Sequence, residues 1–335
     1  MTASPNLIGI GSGLVAAVLF ASLANNSALA VALFYLTPLP VLLAGMGWGL
    51  GAALLSMLSA SLLLVLVQTL PTAIAFALYI GLPGLTLTYL FLLHRDGSGE
   101  ARPQETSPSG QSATEWYPLG RIIAWASVMA GGLVSLGLVF LGGDSETYRH
   151  AVRSMFDDDA LRQLQTMLGP EFGRVQLDEF IERFTRYVLP VFAAAFWLFV
   201  MIGNLWLAAK SAAISGLLER PVAGFTRIEY PPLLVVAFFA AVVLSLASGL
   251  IGLFGTAFLG AFAGAFLLLG LAVLHVLLAR SRMKPLVLFG LYVGLFVTPW
   301  IAPIVIAFGL VEPFLQLRQR VWRQMPPANR TGPGL

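Results

Sequence analysis

The chain has 335 residues, of which 58% are hydrophobic and only 10% charged, with a mean hydropathy of +0.86. A soluble globular domain carries about 25% charged residues, so a water-soluble fold is excluded and the chain reads as a membrane protein. Cysteine is absent and His94, His150 and His275 are far apart, which excludes disulfides, thiolate chemistry and an HExxH-type metal site; no cofactor is expected.

Residues 1–94 contain no Lys, Arg, Asp or Glu, and the first formal charge is Arg95. Residues 9–24 are apolar and Ala28-Leu29-Ala30 imitates a cleavage site. The stretch lacks a basic lead and runs on into more apolar chain, so it is expected to be a retained first span. A helical span needs about 20 apolar residues to cross roughly 30 Å of hydrocarbon. Eight segments qualify: 8–24, 28–46, 49–68, 72–93, 119–141, 188–210, 232–251 and 255–279. Their spacing and their Leu, Ala, Gly and Phe content predict helices and not barrel strands. The predicted fold class is all-α: a polytopic transmembrane helix bundle of about eight long spans, with a proline-broken C-terminal helical pair and amphipathic helices in one extracytoplasmic loop.

Within the first span Gly9, Gly13, Ala17 and Ala21 fall at four-residue steps. On a helix they form one stripe where another backbone can approach closely, either from the same chain or from a partner subunit. In the second span Thr37-Pro38-Leu39-Pro40 follows Tyr35. Proline frees backbone carbonyls, and freed carbonyls at membrane depth must face protein or a polar cavity. The interruption reads either as a kinked packing helix or as the wall of a binding cavity. Gly45, Gly47, Gly49 and Gly51 mimic a nucleotide loop but have no strand before them and no lysine after. They read as a tight helix boundary.

The Gly, Ser, Pro and Glu-rich stretch from Arg95 to Trp116 has too few apolar residues for a core and is expected to be a flexible cytoplasmic connection. The predicted organisation is an uncharged four-helix unit at 1–94, a linker at 95–118, a second transmembrane unit at 119–317 and a basic tail at 318–335. In the loop 142–187, Leu161, Leu164 and Leu168, then Leu177, Ile181 and Phe184, recur at helical intervals. They predict two amphipathic helices, the first capped by Asp158 or Asp159 and ended by Gly169-Pro170. The run Asp157 to Asp159 lacks calcium-loop spacing and reads as a cap with solvated neighbours.

Asn204 lies deep in the sixth span, followed by Trp206 and by Lys210, whose stem lets it snorkel to the interface. Buried polar groups in spans are costly, so Asn204 either bonds a neighbouring helix or contacts a ligand. Tyr35, Thr37, Pro38, Pro40, Asn204 and Trp206 are therefore the candidate ligand-binding residues. His275 sits close to Arg280 and reads as interfacial. Residues 285–317 hold Pro299 and Pro303 near their middle, which predicts two arms of about 15 residues, about 22 Å each, or a re-entrant pair. One kinked span is the alternative. Glu312 is the only acid there, and pairing with Arg318 or another tail arginine would be structural. No acid, base and nucleophile are arranged together, so an enzyme is not expected.

The net charge of +3 and pI near 9.4 do not imply nucleic acid, because the basic residues flank the spans. With the N-terminus inside, Arg95, Lys210, Arg220, Arg227, Arg280, Arg282, Lys284 and the tail arginines all face the cytoplasm. The loop 142–187, with nine acids and six bases, faces outward.

Tyr35-Leu36-Thr37-Pro38-Leu39-Pro40, running on to Gly45-Met46-Gly47-Trp48-Gly49, resembles the corresponding region of the YybS-like bacterial membrane proteins, a family of unknown function. Asn204-Leu205-Trp206-Leu207-Ala208-Ala209-Lys210, followed by Ser215-Gly216 and Arg220-Pro221, looks like its proteobacterial branch, as does Gly309-Leu310-Val311-Glu312 with Arg318 after it. The resemblance spans nearly the whole chain and implies a multi-pass protein of the bacterial inner membrane with both termini cytoplasmic. That family is remotely similar to the substrate-binding S components of energy-coupling-factor transporters. There a small-residue stripe on the first helix docks a coupling subunit driven by cytoplasmic ATPases, a role Gly9, Gly13, Ala17 and Ala21 would fit. S components have fewer spans and no outer loop of this size, so the likeness implies transporter-like architecture and does not establish transport. The expected function is binding or moving a small molecule in the bilayer, with any ATPase on another chain. The rival is a scaffold or regulator that recruits envelope or division partners.

Overall fold

Prolines and small polar caps place most of the helix starts in the computed structural model, which describes residues 4–25, 27–95, 114–142, 144–154, 166–167, 174–222, 224–298 and 300–323. Pro5 opens α1 (Pro5–Ala21), at a position whose N–H has no helical partner to lose. Ser27 caps α2 (Ala28–Tyr35) by accepting the Ala30 N–H at 3.1 Å. Next come α3 (Pro38–Trp48) and α4 (Leu50–Val67), divided by Gly49 at φ +89°, a conformation that favours glycine. Then α5 (Leu70–Phe76) runs through a π turn, Ala77–Gly81, into α6 (Leu82–Leu92). Two-residue strands β1 (His94–Arg95) and β2 (Glu115–Trp116) pair antiparallel and tie together the ends of the predicted linker.

The second half holds α7 (Leu119–Gly142), α8 (Ser145–Arg153) and α9 (Arg174–Arg183), then a π turn at Phe184–Val188 leading into α10 (Leu189–Ile214). It continues with α11 (Pro232–Ser245), α12 (Gly249–Leu277), α13 (Lys284–Val297), α14 (Ile301–Leu315) and α15 (Leu317–Arg323). The helix expected around Leu161 to Leu168, with the Asp157–Asp159 run, lies outside the described residues apart from Thr166 and Met167, which are helical.

The chain is an all-α polytopic helix bundle, but the expected count of eight long spans needs correcting. Among the described residues six stretches are long and apolar enough to cross a bilayer: Ala28–Trp48, Leu50–Val67, Leu70–Leu92, Leu119–Gly142, Glu179–Ile214 and Gly249–Arg280. The first and seventh predicted spans are helices of only 17 and 14 residues, about 26 and 21 Å long. The seventh stops early because the Ser245 hydroxyl turns back onto the Val242 carbonyl and Gly249 at φ +67° breaks the helical path. Hydropathy reads straight through that break. The C-terminal apolar segment is two helices, α13 and α14, bent by 120°.

The chain divides into two compact units, residues 1–126 with 200–229, and residues 127–199 with 230–335. In the first, small residues let backbones come close, as bilayer packing requires. Ala16, Ala17, Ala53 and Ala60 are buried with Leu64 and Phe76. Phe20 meets Phe76 edge to face at 5.5 Å. In the second, the Gly- and Ala-rich α12 is the central helix, packed between α11 and α14. Phe266 on α12 meets Tyr230 and Phe238 edge to face at 5.7 and 5.6 Å.

Candidate functional site

Two places follow from the same chemistry, a carbonyl that proline has deprived of its helical donor. In the first unit, Pro38 and Pro40 have no N–H to offer the carbonyls of Phe34 and Leu36. Phe34 O takes the Thr37 N–H and hydroxyl instead, at 3.0 and 2.6 Å, and Leu36 O takes the Leu39 N–H at 3.0 Å. That leaves the Tyr35 carbonyl, which accepts from Asn204 Nδ2 at 2.8 Å. The second hydrogen of the same amide goes to Val200 O at 2.8 Å.

The structure therefore brings Asn204 onto the proline-broken segment. Asn204 and Thr37 are buried, as is Pro38, while Pro40 is half-buried, Tyr35 lies at the exposed margin and Trp206 is 58% exposed. Trp206 is not part of the joint. Asn204 Oδ1 is buried without a hydrogen-bond partner, an acceptor left open at the junction. Replacing Asn204 by Leu strands the Tyr35 carbonyl in an apolar surround. The expected loss is about 1–2 kcal/mol, read as a lower thermal midpoint of the detergent-solubilised protein; an unchanged midpoint would refute the joint.

The stripe on α1 has its partner within the chain. A Cβ at Gly9 would sit 2.8 Å from the Ala52 carbonyl and 2.9 Å from Leu55 Cβ, and one at Gly13 would strike the Ser59 hydroxyl and the Ser56 carbonyl. Gly9, Gly13 and Ala17 are buried and Ala21 is half-buried. The face proposed by likeness to S components for a coupling subunit is thus covered by α4. Also in this unit, Arg220 is buried and donates to Phe91 O at 2.6 Å and Tyr117 O at 2.8 Å. Its guanidinium lies 4.3 Å from the Phe91 ring centre, and burial lowers its pKa to about 10. It closes the end of α6 and fixes the strand pair, a positioning role.

The second place is in the second unit. Pro190 cannot donate to a carbonyl of the preceding turn, and the chain widens into the π turn Phe184–Val188 to accommodate its ring. The Leu189 N–H goes to Phe184 O, so Thr185 O is left for the Tyr148 hydroxyl, which donates to it at 3.2 Å. Pro83 acts alike after the π turn Ala77–Gly81. Tyr148 is 1% exposed, and burial pushes its phenol up to about 12. It reaches Thr185 from α8, which is set by Asp144: one carboxylate oxygen accepts the Glu146 and Thr147 N–H groups at 2.8 and 2.9 Å. Those bonds and the Thr147 hydroxyl hold the Asp144 carboxyl below its usual range.

Beside this contact lies a cavity of about 140 Å³ lined by Tyr148, Arg149, Glu182, Arg186, Gly249 and Leu253. Arg149 pairs with Glu182 at 3.1 Å and with the exposed Glu146 at 3.2 Å. Arg186 donates to Ala247 O at 2.9 Å and lies 5.0 Å from the Tyr187 ring centre. Among the described residues no group of three His, Asp or Glu comes together to hold a metal ion. The wall can bind and orient a polar ligand. Charge counting in the loop registers Arg149, Glu182 and Arg186 only as topology signals. The local cue to the site was Arg186 four residues ahead of Pro190.

A family profile described as "Predicted membrane protein (DUF2232)" matches residues 14–312, consistent with the YybS-like resemblance. No curated protein and no solved structure matches the chain.

Proposed function

We propose, for a chain that belongs to the DUF2232 family of predicted membrane proteins, a role in binding or transporting a small molecule, with no catalytic chemistry of its own. The observation that carries this reading is the cavity walled by Tyr148, Arg149, Glu182 and Arg186, a small recess that gathers four polar side chains. The open Asn204 Oδ1 beside Tyr35 to Pro40 is a second polar point on the same reading. Asn204→Leu combined with Pro38→Ala is expected to weaken ligand affinity, and an unchanged affinity would remove this point from the site.

The test is gentle-detergent purification from native membranes, with mass spectrometry of co-purifying proteins and retained small molecules. A stoichiometric metabolite, or a co-purifying ATPase pair, supports the proposal. Envelope or division proteins without a ligand favour the scaffold instead. The scaffold reading draws on α13, no residue of which is buried and where Phe289 and Phe296 are exposed.

The proposed setting is the bacterial inner membrane with both termini in the cytoplasm. The basic residues near span ends support it. With no native cysteine, each introduced thiol is unique. An impermeant maleimide added to intact cells is expected to label Ser145→Cys, and to leave Ser281→Cys and Thr331→Cys unlabelled until the membrane is opened. Labelling of Thr331→Cys from outside would overturn this topology.

A further inference from the structure

Resting on the reading of the cavity as a ligand site, we propose that it binds the head of a small organic anion carrying a single negative charge, a carboxylate or a phosphodiester. The wall holds two guanidiniums, Arg149 and Arg186, and one carboxylate, Glu182, and both Glu182 and the neighbouring Glu146 go to Arg149, which leaves Arg186 as the guanidinium to be matched. Glu182 is engaged by Arg149 at 3.1 Å, and Glu146, which also meets Arg149, is exposed to solvent and does not line the cavity. Arg186 has no carboxylate within ion-pair distance among the described residues. One of its N–H groups goes to Ala247 O, while a guanidinium offers five in a planar fork suited to two oxygens of one anion.

A neighbouring part of the wall adds a second source of positive potential. The cavity opens on Gly249, the first residue of the 29-residue α12, whose N-cap Ser248 makes no side-chain cap bond. The first-turn N–H groups of a helix have no partner within it, and the helix dipole favours an anion there. Gly249 leaves the approach bare: a Cβ at that position would meet nothing within 4 Å. A neutral or cationic ligand would leave the Arg186 charge without a counter-charge in the wall. The size is also restrictive. An apolar cavity of about 150 Å³ takes a benzene, so about 140 Å³ suits a head of about six heavy atoms with any tail outside.

The anion could come free from water or as the headgroup of a phospholipid, and the two arms of the experiment separate these sources. The full-length protein is placed in phosphatidylcholine nanodiscs and titrated with lactate, with choline as the cationic control. In parallel it is placed in phosphatidylglycerol nanodiscs and retained lipid is read by native mass spectrometry. Hydrogen exchange of the first turn of α12 locates binding in both arms. Lactate protection identifies a soluble ligand, and retained phosphatidylglycerol with protection identifies a lipid.

Arg186→Gln is expected to weaken either signal about tenfold, and Arg186→Lys by less, since it keeps the charge and loses the fork. Leu253→Phe, which fills the cavity and leaves Arg186 in place, is expected to abolish binding and serves if Arg186→Gln misfolds. Anion binding that survives both Arg186→Gln and Leu253→Phe overturns the assignment, as does no engagement by lactate or phosphatidylglycerol. Choline protecting the site instead overturns the anion class but keeps the small-molecule reading. No protection by any probe, together with no co-purifying metabolite, overturns both.

Discussion

Replacing Glu312 by Ala is expected to cost about 3–5 kcal/mol and to release α15, because it removes the counter-charge of a buried guanidinium. Glu312 and Arg318 are 4% and 3% exposed, and Glu312 Oε1 accepts from Arg318 Nε at 2.8 Å. The carboxylate has a second task. Gln316 sits in the left-handed region at φ 49° and turns the chain out of α14, and Glu312 reaches back across this turn. It accepts the N–H groups of Leu317 and Arg318 at 2.9 and 3.3 Å, the first donors of α15. One side chain thus caps the helix that follows the turn and neutralises Arg318. Glu312→Met with Arg318→Met removes both charges and is expected to recover much of the loss, as buried pairs replaced by apolar residues do. Denaturant unfolding of Glu312→Met, Arg318→Met and the double variant measures the coupling. Additive losses would show that the pair is not coupled.

Gly13→Leu is the other change with a large expected effect, a loss of about 3 kcal/mol or more from overpacking that cannot relax. The Cβ would run into the Ser56 carbonyl and the Ser59 hydroxyl of α4. That hydroxyl also donates to Ile10 O at 3.3 Å, so moving it breaks a bond between the helices. Backbone cannot rotate aside as the end of a long side chain can. Gly11→Leu is the control: it lies two residues away on the same helix, where a Cβ meets nothing within 4 Å. There the change is expected to be neutral or to stabilise by up to about 1 kcal/mol, since Leu is the better helix former. Equal thermal midpoints for the two variants would refute the close approach of α1 and α4.

Element positions were legible because a bilayer enforces long apolar runs. The helices that form α4, α7 and α10 begin or end within a few residues of the hydropathy limits, apart from the start of α10's apolar stretch, which extends back to Glu179. The break between α11 and α12 was expected a few residues too late, at 252–254, since Leu246 and Ala247 are apolar and carry the hydropathy across the true break before Gly249. The pairing of Glu312 with a tail arginine could be read from the scarcity of acids in the last segment. The bond from Asn204 to Tyr35 could not, because two polar landmarks 169 residues apart carry no sign of each other. Nor could the cavity, whose walls come from four separate helices or turns and whose arginines resemble any surface charges in a loop.

The separation between Tyr35 and Asn204 also bears on biogenesis. Pro38 and Pro40 strip the Tyr35 carbonyl of its helical donor as soon as that segment leaves the ribosome, while Asn204 is made 169 residues later. At about 5–20 residues per second this is a delay of roughly 8–34 s. For that interval the second span carries an exposed polar oxygen, and lipid offers it nothing. Until α10 arrives, that oxygen has to take its hydrogen bond from something other than Asn204, such as water.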